Sequence, residues 1–127
     1  MHDLPCKVAA KIDTSILYPN LLKNNLIKNS DLKSMSVANV YAVIAADEAI
    51  KDSGWSSRNE IESQKAGTSI GTGMAGIQEV SEAAVALYKD NLKGIKTISP
   101  YFIPKILPNL SAGLISIKHK LKVIILL

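Results

Sequence analysis

Three observations predict an α/β fold. Helical patterns of apolar residues alternate with short apolar runs. One run, Ala66–Ile70, passes through Gly71, Gly73 and Gly76 straight into a helical pattern, which reads as strand, tight turn and helix N-terminus in succession. The third is size: 127 residues, 47% of them hydrophobic, give one domain with a sufficient core and rule out a disordered chain. Aromatics make up only 5%, so that core is built from Ile, Leu, Val and Ala.

The elements follow in order. Val8, Ala10 and Ile12 alternate with Lys7, Ala9 and Lys11, a short edge-strand pattern. The polar stretch to Asn29, broken by Pro19, reads as loop with a helical turn near Leu21 and Leu22. Ser36 caps a helix that runs to about Asp52 with Val37, Val40, Tyr41, Ile44, Ala45 and Ala49 on its inner face. Gly54 closes it, and Trp55 folds back on the last turn. Residues 56–65 form a polar surface connection, and 66–70 a buried strand. A second helix presents Ile77, Val80, Ala84, Leu87 and Tyr88 to the core, and Asn91 to Lys96 is loop. Ile98–Pro104 is extended, because residues before Pro100 and Pro104 are pushed out of the α region. A third helix begins near Pro108 with Leu110, Leu114, Ile115 and Ile117 apolar. Val123–Leu127 reads as a closing strand.

Several functions find no support. The net charge of +4 is spread along the chain, without the basic cluster and interleaved aromatics of a nucleic-acid arm. No apolar run approaches the ~18 residues of a membrane span. Cys6 is the sole cysteine, so no internal disulfide forms, and it reads as a small buried thiol, not a nucleophile. Only His2 and His119 offer imidazoles, and neither has metal-ligand spacing, so no metal or bound cofactor is expected.

The glycine turn carries the functional question. Gly71-Thr72-Gly73-Met74-Ala75-Gly76 matches G-x-G-x-x-G, which would set a dinucleotide pyrophosphate on free N–H groups at a helix start. The acidic residue expected about 20 positions on, at the end of a second strand, is missing, since Asp90 ends a helix. The same glycines also suit a turn packed hard against a neighbour.

A third reading comes from resemblance. The ordered stretches are Leu4-Pro5-Cys6-Lys7-Val8-Ala9, Asp31-Leu32-Lys33-Ser34-Met35-Ser36, Ala45-Ala46-Asp47-Glu48-Ala49-Ile50-Lys51-Asp52-Ser53-Gly54-Trp55, Ile70–Gly76 and Ile98–Leu107, followed by Asn109 and Ala112-Gly113. Over residues 4–122 the chain resembles the N-terminal part of a β-ketoacyl-acyl-carrier-protein synthase, most closely the mitochondrial type II form. The resemblance implies a partial thiolase-like fold, with 1–127 an incomplete N-terminal domain. It implies a decarboxylative Claisen condensation, substrates carried on the phosphopantetheine of acyl carrier protein, a homodimer partner and a mitochondrial location. It also implies that Met74 gates an apolar acyl pocket and that Phe102 closes the pocket of the partner subunit. The family's catalytic Cys and two His match nothing here: Cys6 and His119 fall elsewhere, and the family's Gly-Pro and Thr-Ala-Cys segment has no counterpart after Lys122. This chain alone is therefore expected to be inactive. The alternatives are a non-catalytic module that pairs with an intact synthase, and a dinucleotide module at Gly71–Gly76.

Overall fold

The computed structural model describes residues 5, 6, 8, 12–56 and 59–123, with the side chains of 90–92 left aside. Among the described residues, seven α-helices and one 3₁₀ segment follow one another. They are α1 (Thr14–Lys23), α2 (Asn29–Ser34), α3 (Val37–Ser53), α4 (Glu60–Ser63), α5 (Ile77–Asp90), the 3₁₀ turn Asn91–Thr97, α6 (Phe102–Ile106) and α7 (Leu110–His119).

α3 is the centre of the packing. Ser36 caps it, its hydroxyl accepting the Asn39 N–H at 3.3 Å, and Gly54 ends it in the left-handed region at φ 64°. One side of α3 gives Val40 to a cluster with Leu21 and Ile27, bordered by Leu17, Tyr18, Leu32, Met35 and Ile44. The next turn gives Val43 to a second cluster with Ile115 and Leu121, bordered by Ala42, Ala46, Ala66, Ile70 and Leu114. The buried stripe therefore runs through Asn39, Val40 and Val43, while Val37, Ala45 and Ala49 are exposed. Alanines spread round the helix leave its pattern without a single apolar side, so the pattern misplaced the face.

Two segments expected to be non-helical are helical. α1 occupies much of the stretch expected as loop and takes in the helical turn expected near Leu21 and Leu22, and α2 starts where that stretch ends. Asp13 caps α1 by accepting the Ser15 N–H at 2.9 Å, and Asp31 accepts the Lys28 N–H at 2.8 Å at the start of α2. Pro19 lies inside α1, on an exposed stretch where the freed Ser15 carbonyl can meet water. α6 takes the end of the segment expected to be extended, from Phe102 to Pro104, and continues to Ile106. Pro104 is its third residue, within the first turn, where no N–H is required.

Smaller corrections concern the connections. Asn91–Thr97 is a 3₁₀ turn, with Gly94 buried where a methyl group would overlap the Ala86 carbonyl. α4 interrupts the 56–65 connection and buries Ser63. α7 starts at Leu110, two residues after Pro108. The run 66–70, expected as a buried strand, carries a bridge only at Ser69, and Gly67 and Ser69 are exposed. Beyond α7, Lys120 turns the chain at φ 56°, and the Lys122 and Val123 N–H groups donate to the Ser63 and Ala66 carbonyls at 2.9 and 3.1 Å. Most of the 7–12 pattern and Ile124–Leu127 lie outside the described residues.

α3 and α7 also share a polar contact. The Ser111 hydroxyl donates to Asn39 Oδ1 at 2.7 Å, both residues are buried, and Asn39 Nδ2 has no partner. Ser111→Ala should cost about 1–3 kcal/mol by leaving the amide wholly unsatisfied. Asn39→Leu combined with Ser111→Ala should be near neutral or stabilising in urea denaturation, because both desolvated polar groups leave together. Equal losses in the single and double variants would show that the pair contributes nothing.

Candidate functional site: the glycine turn and its surroundings

The turn between 70 and 77 holds glycines of two kinds. Gly71 and Gly73 are exposed, and a methyl group added to either meets nothing within 4 Å. Gly76 is buried with φ +63°, and a Cβ there would lie 2.6 Å from the Lys105 carbonyl and 3.1 Å from Ile106. Its carbonyl accepts the Val80 N–H at 3.0 Å and opens α5. The third glycine of the motif thus serves close packing of the turn against α6.

Met74 projects from this turn and is 64% exposed. Phe102 opens α6, half-buried, with its N–H donating to the Ser99 carbonyl at 2.9 Å. It lines a cavity of about 220 Å³ with Glu79, Glu82, Ala83, Ala86, Ile98 and Lys105. Lys105 Nζ lies 3.7 Å from Glu79 Oε1 inside it. Met74 does not line this cavity, so one chain does not bring the two apolar residues to a common wall. That arrangement is compatible with the two acting in different subunits, as the resemblance implies.

α5 reverses its expected orientation. Ile77, Val80, Leu87 and Tyr88 are 63, 43, 40 and 90% exposed, and Ala84 is exposed too. The opposite side, with Glu79, Ala83 and Ala86, packs on α6 and the 3₁₀ turn. Gly94 seats directly on Ala86 there and brings two backbones together.

Cys6 is exposed, not buried. Its neighbour Val8 is 88% exposed as well, and the Cys6 thiol donates to the Val8 carbonyl at 3.5 Å. A carbonyl oxygen cannot serve as a base for a thiol nucleophile. His119 is committed elsewhere: its Nε2 is 2.7 Å from Asp47 Oδ1. Lys118 bonds the other Asp47 oxygen and donates to the Leu26 carbonyl at 3.0 Å. This half-buried cluster fastens the end of α7 to α3 and to the turn after α1. Asp47 and His119 are 72 residues apart, so no local pattern signals it.

Sequence reading also missed an apolar groove of about 440 Å³. Ala46, Ala49 and Ile50 of α3, Trp55, the run 66–70, Ile115 and Leu121 form its walls. Thr68 Oγ1 is buried beside it with no partner. Elsewhere, burial and then the nearby charges of Tyr41 and Glu79 push the Tyr18 phenol above its usual range. Among the described residues, no helix is long and apolar enough to cross a membrane.

This arrangement of helices is part of a thiolase-like fold. A solved β-ketoacyl synthase from Burkholderia phymatum STM815 superposes with a TM-score of 0.60 over 78% of this chain and 24% of its own, at 19% identity. Residues 2–123 match the family described as Beta-ketoacyl synthase, N-terminal domain, and the chain belongs to that family. It is 43% identical over 90 residues to the mitochondrial 3-oxoacyl-[acyl-carrier-protein] synthase of Arabidopsis thaliana, a match over 69% of this chain. It is 34% identical over 123 residues to 3-oxoacyl-[acyl-carrier-protein] synthase 2 of Rhizobium meliloti (strain 1021), over 96% of this chain. The matches span 19% and 28% of those two relatives.

Proposed function

We propose that the chain is the N-terminal portion of a 3-oxoacyl-acyl-carrier-protein synthase, a transferase of fatty-acid biosynthesis. The match to a synthase of that name along 96% of this chain carries the reading. In the reaction, an acyl group moves from the phosphopantetheine thioester of acyl carrier protein to a cysteine thiolate. Malonyl carrier protein loses CO₂, the resulting enolate attacks the acyl thioester carbonyl, and the cysteine thiolate leaves as the 3-oxoacyl product forms. Such a thiolate needs a base and oxyanion donors, and the described partner of Cys6 is the Val8 carbonyl, which is neither. Residues 1–127 therefore act as an incomplete domain that supplies walls rather than the nucleophile. Met74 and Phe102 serve as apolar walls of an acyl pocket, Phe102 across a homodimer. Exposure of Met74 and of the aliphatic side of α5 supports a covering partner. The mitochondrial relative supports a mitochondrial location. Packing of Gly76 on Lys105 favours the structural turn over a dinucleotide cradle.

The test is a chimera in which residues 2–123 replace the matching stretch of the Rhizobium meliloti synthase. It should form 3-oxoacyl product from acyl and malonyl carrier proteins. Met74→Trp within it should lower kcat/KM for long acyl chains at least about tenfold, about 1.4 kcal/mol of transition-state stabilisation, and spare short ones. A folded, inactive chimera would overturn the reading. A Met74→Trp variant that treats every chain length alike would remove Met74 from the pocket.

A further inference from the structure

We infer that residues 74–107 form an arm that moves as one body about two pivots, Gly71–Gly73 and Leu107–Asn109. The inference does not rest on the acyl-pocket reading. The arm is internally locked. Gly76 seats against the Lys105 carbonyl, Gly94 against Ala86, and Lys105 pairs with Glu79 at 3.7 Å. The Thr97 hydroxyl donates to the Gly94 carbonyl at 2.7 Å. Among the described residues, neither buried apolar cluster contains a member of 74–107. Among the described residues, the arm's own buried apolar side chains are those of Ala75 and Ala83. From Gly76–Val80 to Pro104–Leu107 the described backbone hydrogen bonds join residues of the arm to one another, and the chain leaves it where the Leu107 carbonyl accepts the Leu110 N–H at 3.3 Å. Toward the rest of the chain, the charge of Glu79 lies near Tyr18 of α1. Small polar contacts of this kind separate at low free-energy cost, whereas a shared apolar core does not.

The two pivots differ. At the first, Gly71 and Gly73 are exposed, touch nothing that a side chain would meet, and keep the backbone freedom of glycine. At the second, Leu107, Pro108 and Asn109 are exposed, and proline locks one torsion. Rotation there is confined to the residues on either side of the ring, which favours a defined axis over a slack tether. As the arm swings, Met74 and the aliphatic side of α5 move relative to α3 and α7.

Spin-label distance measurements on the 127-residue chain, in a Cys6→Ser background, test the inference. Labels replace Ile16 on α1 and Tyr88 on the arm, which are 63% and 90% exposed. The control pairs are Tyr88 with Lys96 inside the arm, and Ile16 with Lys51 inside the body. The arm-to-body distribution should be at least twice as wide as either control. It should narrow in the Gly71→Ala, Gly73→Ala double variant, whose added methyl groups have open space. The single Gly73→Ala variant provides the same readout should the double variant misfold. An arm-to-body distribution as narrow as the controls would overturn the inference. So would a wide one that the alanines leave unchanged.

Discussion

Replacing Gly76 with alanine should lower stability by about 2–4 kcal/mol, while Gly73→Ala should leave it unchanged or raise it by about 0.4–1 kcal/mol. The two sites lie three residues apart in one glycine-rich turn, so composition predicts equal effects. Structure separates them. At Gly76 the backbone is left-handed, φ +63°, where a side chain costs about 1–2 kcal/mol. A Cβ would also lie 2.6 Å from the Lys105 carbonyl, a backbone atom with no rotamer to yield. Relief requires the turn to part from α6, with loss of the Lys105–Glu79 pair. At Gly73 nothing lies within 4 Å, so alanine mainly reduces the freedom of the unfolded chain. Thermal melting of the two variants reads both effects. Equal shifts would mean that the third glycine of the motif does not pack as described.

Ile115→Ala should cost about 2–5 kcal/mol, a large share of the 5–15 kcal/mol typical of a whole domain. Ile115 is 2% exposed, against Val43 and Leu121, where α3, α7 and the segment after α7 converge. Its truncation leaves a void on several elements that hold each other in place, so collapse to fill it is limited. Ile115→Val should cost only about 0.5–1.5 kcal/mol. By contrast Ile117, two residues on and 80% exposed, should tolerate alanine within about 0.5 kcal/mol. Denaturant midpoints of the three variants rank these sites, and a mild Ile115→Ala would place the centre of the core elsewhere.

Local chemistry made some of this fold legible. The Ser36 cap and the left-handed Gly54 bound α3 as read from residue type alone. Where reading failed, a competing term can be named. Pro19 suggested loop, yet its freed carbonyl lies on an exposed part of α1. Paired prolines suggested extended chain, yet Pro104 falls in a first turn, where it suits a helix. α5 was read correctly as a helix and wrongly in orientation. The aliphatic stripe predicts a face toward this chain's core, but Glu79, Ala83 and Ala86 line the intrachain contact and the stripe faces outward. The site was less legible. Gly76 against Lys105 and Asp47 against His119 join residues far apart in sequence, which no spacing rule reaches. Met74 and Phe102 came from resemblance, and one chain does not gather them at one cavity.

This chain belongs to the β-ketoacyl synthase N-terminal family, and the proposed function puts the reacting thiolate outside residues 1–127. Intact-mass analysis after incubation with acyl carrier protein bearing an acyl thioester tests it directly. The account predicts no acyl adduct on the 127-residue chain and no 3-oxoacyl product when malonyl carrier protein is added. An acyl group recovered on Cys6, followed by product formation, would contradict it.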